Sequence, residues 1–72
     1  GIVTSKKYDA VWDFSEGLAK VELNDKYGFI NKEGKEIVPC KYDAVGVFSE
    51  GLAKVRLNRK WGFINKEGKE IV

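Results

Sequence analysis

The sequence has no histidine and no methionine, and it has only one cysteine, Cys40, and one proline, Pro39. A single cysteine cannot form a disulfide within the chain, and a metal cluster held by thiolates needs several. The absence of histidine removes the commonest metal ligand and the commonest general base. We therefore expect no catalytic residues, no metal site and no bound cofactor.

A strong net charge and a long apolar run are also missing. The chain has 13 lysines and arginines and 11 acidic residues, so its net charge is only +2. This charge is too small to indicate a nucleic acid or an acidic membrane as partner. No apolar run approaches the roughly 18 residues of a membrane span, and residues 1–5 do not resemble a signal peptide. Nothing in the sequence indicates a cellular location.

What the chain does contain is an internal repeat. Residues 26–38 return as residues 60–72 with one change, at a spacing of 34 residues (60 − 26). Aligning residues 8–38 with residues 42–72 gives 31 pairs, of which five differ. The differing pairs are Trp12/Gly46, Asp13/Val47, Glu22/Arg56, Asp25/Arg59 and Tyr27/Trp61.

These boundaries divide the single domain at 1–72 into three parts. Ile2-Val3 has the place of Ile37-Val38, so residues 1–7 are interpreted as a partial repeat or cap. The first full repeat is then 8–41 and the second is 42–72. Two repeats give a small core, since a chain of this length buries only about 60% of its unfolded surface.

Apolar and polar residues alternate in a way that predicts strands and no helix. Residues 18–23 alternate with period two, and residues 26–31 follow after Asn24-Asp25. Asparagine and aspartate both tolerate the left-handed conformation of a two-residue hairpin turn. The predicted hairpin places Val21 opposite Gly28 and has apolar side chains on both faces, which is typical of a hairpin packed between neighbours.

Shorter strands are predicted on either side of this hairpin. The first covers residues 8–11 and is followed by a turn at 15–17, where Gly17 supplies a positive φ. The fourth covers residues 35–38, after a turn closed by Gly34. Pro39 has no amide hydrogen, so it marks a turn or the edge of a sheet, and it is predicted to end the fourth strand. The expected fold is all-β, an array of tandem repeats of about 34 residues made of short antiparallel strands and hairpins.

The second copy contains the string Phe-Ser-Glu-Gly-Leu-Ala-Lys-Val-Arg-Leu-Asn-Arg-Lys-Trp-Gly-Phe-Ile-Asn-Lys-Glu-Gly-Lys-Glu-Ile-Val. This string resembles the WG repeat, named for a Trp-Gly pair that stands here as Trp61-Gly62 and as Tyr27-Gly28 in the first copy. The resemblance covers residues 8–72. It implies a tandem array of β-hairpins, found mainly in bacterial proteins and used for binding or scaffolding, and it brings no catalytic residues. The near-identity of the copies leaves a consensus-designed chain as an alternative.

The aromatic residue of the signature pair has two interpretations. In the structural one, which we prefer, Tyr27 or Trp61 packs on a neighbouring repeat while the following glycine lets two backbones approach closely. In the functional one, the aromatic ring is an exposed platform for a sugar or a peptide. Arg56 faces Trp61 in the predicted hairpin, which brings a guanidinium group close to the indole ring.

The two copies carry charges of opposite sign. Residues 8–38 have four lysines and seven acids (4 − 7 = −3), whereas residues 42–72 have six basic residues and four acids (6 − 4 = +2). At two equivalent pairs, Glu22/Arg56 and Asp25/Arg59, the sign of the charge is reversed. If the repeats stacked in register, the residues of each pair would lie side by side, and such ion pairs select register more than they stabilise. Trp12 and Val47 add apolar area to the same surfaces. The candidate interface residues are therefore Trp12, Glu22, Asp25, Val47, Arg56 and Arg59.

Two classes of function remain. The first is a protein-interaction or scaffold repeat that forms a homo-oligomer head to tail, residues 42–72 of one copy meeting residues 8–38 of another. The alternative is a carbohydrate or cell-wall binding module with a glycan ligand and exposed aromatics, Trp12 first among them. The Ser-Glu pairs that precede Gly17 and Gly51 are interpreted as turn residues. Cys40 is expected to be an exposed or half-buried thiol.

Overall fold

The computed structural model describes residues 7–71. Their strands form two antiparallel sheets. The predicted all-β architecture of tandem repeats is confirmed. The partial repeat predicted at 1–7 lies outside the described residues apart from Lys7, as does Val72. The first sheet has the order β1-β2-β3-β4 and the second the order β5-β6-β7. The strands are β1 Ala10–Ser15, β2 Leu18–Leu23, β3 Lys26–Asn31, β4 Glu36–Tyr42, β5 Ala44–Val45, β6 Leu52–Leu57 and β7 Lys60–Asn65.

The central hairpin of each repeat forms as the sequence predicts. β2 and β3 have the predicted bounds, and Val21 lies opposite Gly28 in the predicted register. Asn24 and Asp25 have φ values of 54° and 67°, which are the positive angles of a primed two-residue turn. The hairpin of β6 and β7 repeats this register at positions 34 residues later.

The first strand differs from its prediction at 8–11. β1 begins at Ala10 and continues to Ser15, because a bulge between Val11 and Phe14 places two residues opposite one of β2. The turn that follows has positive φ at Glu16 (55°) as well as at Gly17 (84°), where only the glycine was predicted. In the second repeat the equivalent strand, β5, is only two residues long.

The prediction that Pro39 ends the fourth strand is wrong. β4 runs through Pro39 to Tyr42 and leads directly into the second sheet. β4 is the edge strand of its sheet, and its register with β3 is irregular near Pro39. The missing amide hydrogen therefore does not interrupt a central ladder.

Two apolar clusters fill the space on either side of the first sheet. The smaller cluster contains Tyr8, Ala19, Val21 and Ile30. The larger cluster joins the two sheets and contains Leu18, Phe29, Val38, Tyr42, Val45, Phe48, Ala53, Val55 and Ile64. The β2–β3 hairpin thus contributes side chains to both clusters, as its two apolar faces predicted. Between residues 7 and 71 there is no helix long and apolar enough to cross a membrane.

Candidate interaction surface

The contact between the two repeats is centred on Phe48 of the second repeat and Phe29 of the first. Their ring centroids lie 4.7 Å apart, with an edge-to-face angle of 67°. Both residues are only 1% exposed. Edge-to-face packing at this distance is favourable beyond the area that it buries. This pair is therefore the apolar centre of the junction.

The Ser-Glu-Gly turns add polar contacts to the junction. The Glu16 carboxylate accepts hydrogen bonds from the backbone amides of Glu50 (2.6 Å) and Gly51 (2.8 Å). The Ser15 hydroxyl donates to the carbonyl oxygen of Phe48 at 2.8 Å. These residues lie in or beside the turn, where the sequence placed them, but their bonds to the next repeat were not predicted. The first turn thus holds the second in place.

An ion pair joins the repeats at the first residue of β3. The Lys26 ammonium contacts the Asp43 carboxylate, whose other oxygen accepts from the amide of Asn58. The Lys26 ammonium lowers the pKa of Asp43 below its ordinary value. Both side chains are exposed enough that the pair sets register more than it stabilises.

Gly28, the glycine of the first signature pair, lies directly against β4. A Cβ atom built on Gly28 would be 2.3 Å from the carbonyl oxygen of Val38 and 2.8 Å from that of Pro39. Only glycine leaves room for a backbone at this distance. The preceding Tyr27 is half-buried and packs against the larger cluster. In this repeat the signature pair has a packing role.

The equivalents of the junction residues in the other repeat are exposed. Phe63 is 43% exposed whereas its equivalent Phe29 is 1% exposed, and Phe14 is 39% exposed whereas Phe48 is 1% exposed. We call Leu52, Trp61 and Phe63 the tail surface, and Phe14 with the Glu16-Gly17 turn the head surface. Leu52 and Trp61 are 39% and 54% exposed, so the tail surface presents three exposed apolar side chains.

The interface residues predicted from the sequence all lie at least partly on the surface. Trp12 is 41% exposed and Val47 is 57% exposed. The four charged candidates are exposed except for Glu22, which is half-buried. In the described part of the chain the ion pairs are Lys7–Glu36 and Lys26–Asp43, so neither reversed pair forms within one molecule. A pairing of these charges between molecules stays a prediction.

Cations lie over the aromatic rings of both signature pairs. The Lys20 ammonium lies 4.5 Å from the centroid of Trp12 and 4.8 Å from that of Tyr27. In the second repeat, the Lys54 ammonium is 4.6 Å from the Trp61 centroid, and the Arg56 guanidinium is farther away at 6.0 Å. Arg56 does face Trp61 as predicted, but lysine makes the closer cation–π contact.

A cavity of about 330 Å³ opens beside β7, next to Lys60 and Trp61. Tyr42 and Glu70 also line it, and the Tyr42 hydroxyl donates to the Glu70 carboxylate at 3.4 Å. Burial, with the nearby negative charge of Glu70, raises the pKa of Tyr42. Over residues 7–71, no group of three or more cysteine, aspartate and glutamate side chains is placed to hold a metal ion.

Cys40 is half-buried and packs against the smaller cluster. Burial, followed by the negative charge of Glu36, raises the pKa of its thiol from 9.0 to about 11. The thiolate is the reactive form, so the thiol of the folded protein is expected to react slowly at pH 8. Its rate with a disulfide reagent should be about 100-fold below that of the denatured chain, and it should rise about tenfold per pH unit up to pH 10. Equal rates for the folded and the denatured chain at pH 8 would contradict this prediction.

The chain matches the family model described as "WG containing repeat" at residues 1–27, 27–61 and 61–72. Because these matches cover the whole sequence, the protein belongs to the WG repeat family. The units of the family model meet at Tyr27 and Trp61, which are 34 residues apart (61 − 27), the same period as in the self-alignment. No curated protein and no solved structure matches the chain.

Proposed function

We propose that the protein is a non-catalytic interaction module that associates head to tail with copies of itself. The observation that carries this proposal is the exposure of Phe14 and Phe63 at opposite ends of the chain, while their equivalents Phe48 and Phe29 are buried against each other. Each end thus presents one half of a contact that the molecule already forms internally. The charges of −3 and +2 on the two repeats favour the same arrangement.

In the proposed contact, the head surface of a second copy packs on the tail surface in the way that the second repeat packs on the first. Phe14 of the second copy contacts Phe63, as Phe48 contacts Phe29. The Glu50 carboxylate accepts from the turn amides of the second copy, as the Glu16 carboxylate accepts from those of Glu50 and Gly51. The two surfaces are unlike, so the contact is heterologous and produces a ring or a filament.

The alternative function, glycan binding through Trp12, is less favoured by the geometry. The Trp12 ring is tilted by 52° against the ring of Tyr27, at a centroid distance of 5.9 Å. The Lys20 ammonium lies over both rings. A sugar ring would have to displace this ammonium group from the face of the indole ring. We therefore retain the interaction module as the proposed function.

The variants Phe14→Ser and Phe63→Ser test the proposal, because each removes one half of the contact. The unchanged chain is expected to show a mass above that of one molecule in light scattering. Each variant alone should be a monomer, since it offers only one intact surface to its own copies. An equimolar mixture should form a one-to-one dimer, in which the intact Phe63 of one variant meets the intact Phe14 of the other.

The mixture provides the control, because a general loss of folding would not be restored by mixing. A monomeric unchanged chain at high protein concentration and low salt would contradict the proposal. Association of either variant to the same extent as the unchanged chain would show that the phenylalanine pair is not the contact. Circular dichroism of each variant checks that its β-structure is retained.

A further inference from the structure

Within residues 7–71, the outer edge of β7 is paired over a shorter stretch than the equivalent edge of β3. On the edge of β3, Tyr27 pairs with Tyr42 of β4, and the next residues, Lys26 and Asp43, form the ion pair. On the edge of β7, the described residues contribute the bridge between Ile64 and Glu70 and the bonds from the Asn65 amide to the Lys69 carbonyl and from the Ile71 amide to the Phe63 carbonyl. Trp61 therefore has no partner strand on this edge within 7–71.

The segment that pairs with β3 has a counterpart near the start of the chain. Lys41-Tyr42-Asp43 corresponds to Lys7-Tyr8-Asp9. The Lys41 ammonium lies 5.3 Å from the Tyr42 ring, and the Lys7 ammonium lies 5.5 Å from the Tyr8 ring. In both segments the lysine thus lies at a similar distance from the ring of the tyrosine that follows it.

The two aspartates are also placed alike on their own sheets. The amide of Asp9 donates to the carbonyl of Glu22, as the amide of Asp43 donates to that of Arg56. One carboxylate oxygen of each caps a hairpin turn, Asp9 accepting from the Asn24 amide at 3.1 Å and Asp43 from the Asn58 amide at 3.2 Å. Asp43 uses its other oxygen to contact a lysine of the preceding repeat.

We propose that Lys7-Tyr8-Asp9 of a second copy adds to the outer edge of β7 beside Trp61. The Tyr8 backbone lies beside Trp61, as the Tyr42 backbone lies beside Tyr27, and the Asp9 carboxylate contacts the Lys60 ammonium. The added segment closes the cavity beside Lys60 and Trp61 on its open side. This inference rests on the proposed self-association and adds strand addition to an open sheet edge, which supplies directional backbone bonds.

Disulfide cross-linking tests which residues meet. In a Cys40→Ala background, one chain carries Lys60→Cys and another carries Asp9→Cys. Neighbouring residues of antiparallel strands have Cα atoms about 4.5–5.5 Å apart, which suits a disulfide. Mild oxidation of the mixture is expected to give a covalent dimer, and each chain alone should give little. A chain with Lys26→Cys and Asp43→Cys is the reference, because it should form the equivalent disulfide internally.

The outcomes separate this inference from the proposed function. If light scattering shows oligomers but no disulfide forms between positions 60 and 9, the strand addition is overturned and the phenylalanine contact stands. A monomeric chain would overturn both. A covalent dimer in the mixture alone supports the inference, and a covalent dimer that forms equally in each single chain overturns it.

A charge reversal gives a second measurement that does not depend on replacing Asp9. Lys60→Glu is expected to raise the dissociation constant of the assembly about fivefold or more, because it places a carboxylate against Asp9. Lys66→Glu is the matched control, with the same change of charge. Its equivalent Lys32 stays exposed although a repeat stacks on its sheet, so the control should change the constant less than about twofold. Equal effects of the two substitutions would overturn the inference.

Discussion

Replacing Gly28 by alanine is expected to destabilise the protein by about 3 kcal/mol or more. The added Cβ atom would lie 2.3 Å from the carbonyl oxygen of Val38 and 2.8 Å from the carbonyl of Pro39. These are backbone atoms, so no side-chain rotation can relieve the contact. The strand β4 would have to move away from β3, and that movement would disturb Val38 and Tyr42 in the larger cluster. Urea unfolding followed by fluorescence measures the loss.

The matched control for this substitution is Gly46→Ala. The nearest atom to a Cβ at Gly46 is the Cβ of Lys54 at 3.8 Å, which is an ordinary contact distance. An alanine there also reduces the entropy of the unfolded chain. We expect the free energy of unfolding to change by less than about 1 kcal/mol in either direction. If both substitutions had the same small effect, the close approach of β4 would not be the reason for the glycine of the signature pair.

The hairpin of β2 and β3 could be predicted because several local signals agree. The period of two, the Asn24-Asp25 turn and the length of each run all specify the same register. β1 could not be predicted correctly, since the bulge at Trp12 and Asp13 interrupts the alternation on which the prediction rests. The prediction ended the fourth strand at residue 38, whereas β4 continues to Tyr42, for a different reason. Proline ends a central strand, whereas at the edge of a sheet it leaves the ladder intact.

The junction between the repeats was less accessible to sequence reasoning than the strands. The glycine of the signature pair suggested a close backbone approach, and Gly28 lies in one. The bonds from the Glu50 and Gly51 amides to Glu16 could not be predicted, because they depend on how two turns far apart in sequence are stacked. Sequence reasoning also could not predict that Phe48 is buried whereas its equivalent Phe14 is exposed. The two positions have the same residue type, and only the presence of a neighbouring repeat distinguishes them.

Replacing Phe48 by alanine is expected to cost about 3–5 kcal/mol, which is the usual cost of deleting a buried phenylalanine side chain. Phe48 is 1% exposed and contacts Phe29 edge to face, so the substitution leaves a cavity at the centre of the junction. The larger cluster, which joins the two sheets, would lose one of its largest side chains. A domain of this size has a free energy of unfolding near the lower end of the range of about 5–15 kcal/mol. The variant would keep at most about 2 kcal/mol, so a measurable fraction of the molecules is expected to be unfolded at about 25 °C in the absence of denaturant.

Phe14→Ala is the matched control, because the two residues are equivalent in the repeat and differ in their neighbours. Phe14 is 39% exposed, so its loss should cost about 1 kcal/mol in the isolated molecule. Both variants should be measured at low protein concentration, since association would stabilise the folded chain and add to the apparent effect of Phe14. If Phe48→Ala lowers the free energy of unfolding much more than Phe14→Ala does, the difference comes from the contact between the repeats. Equal costs would instead mean that each repeat is stabilised by its own residues, and the buried pair of Phe29 and Phe48 would not be what holds the sheets together.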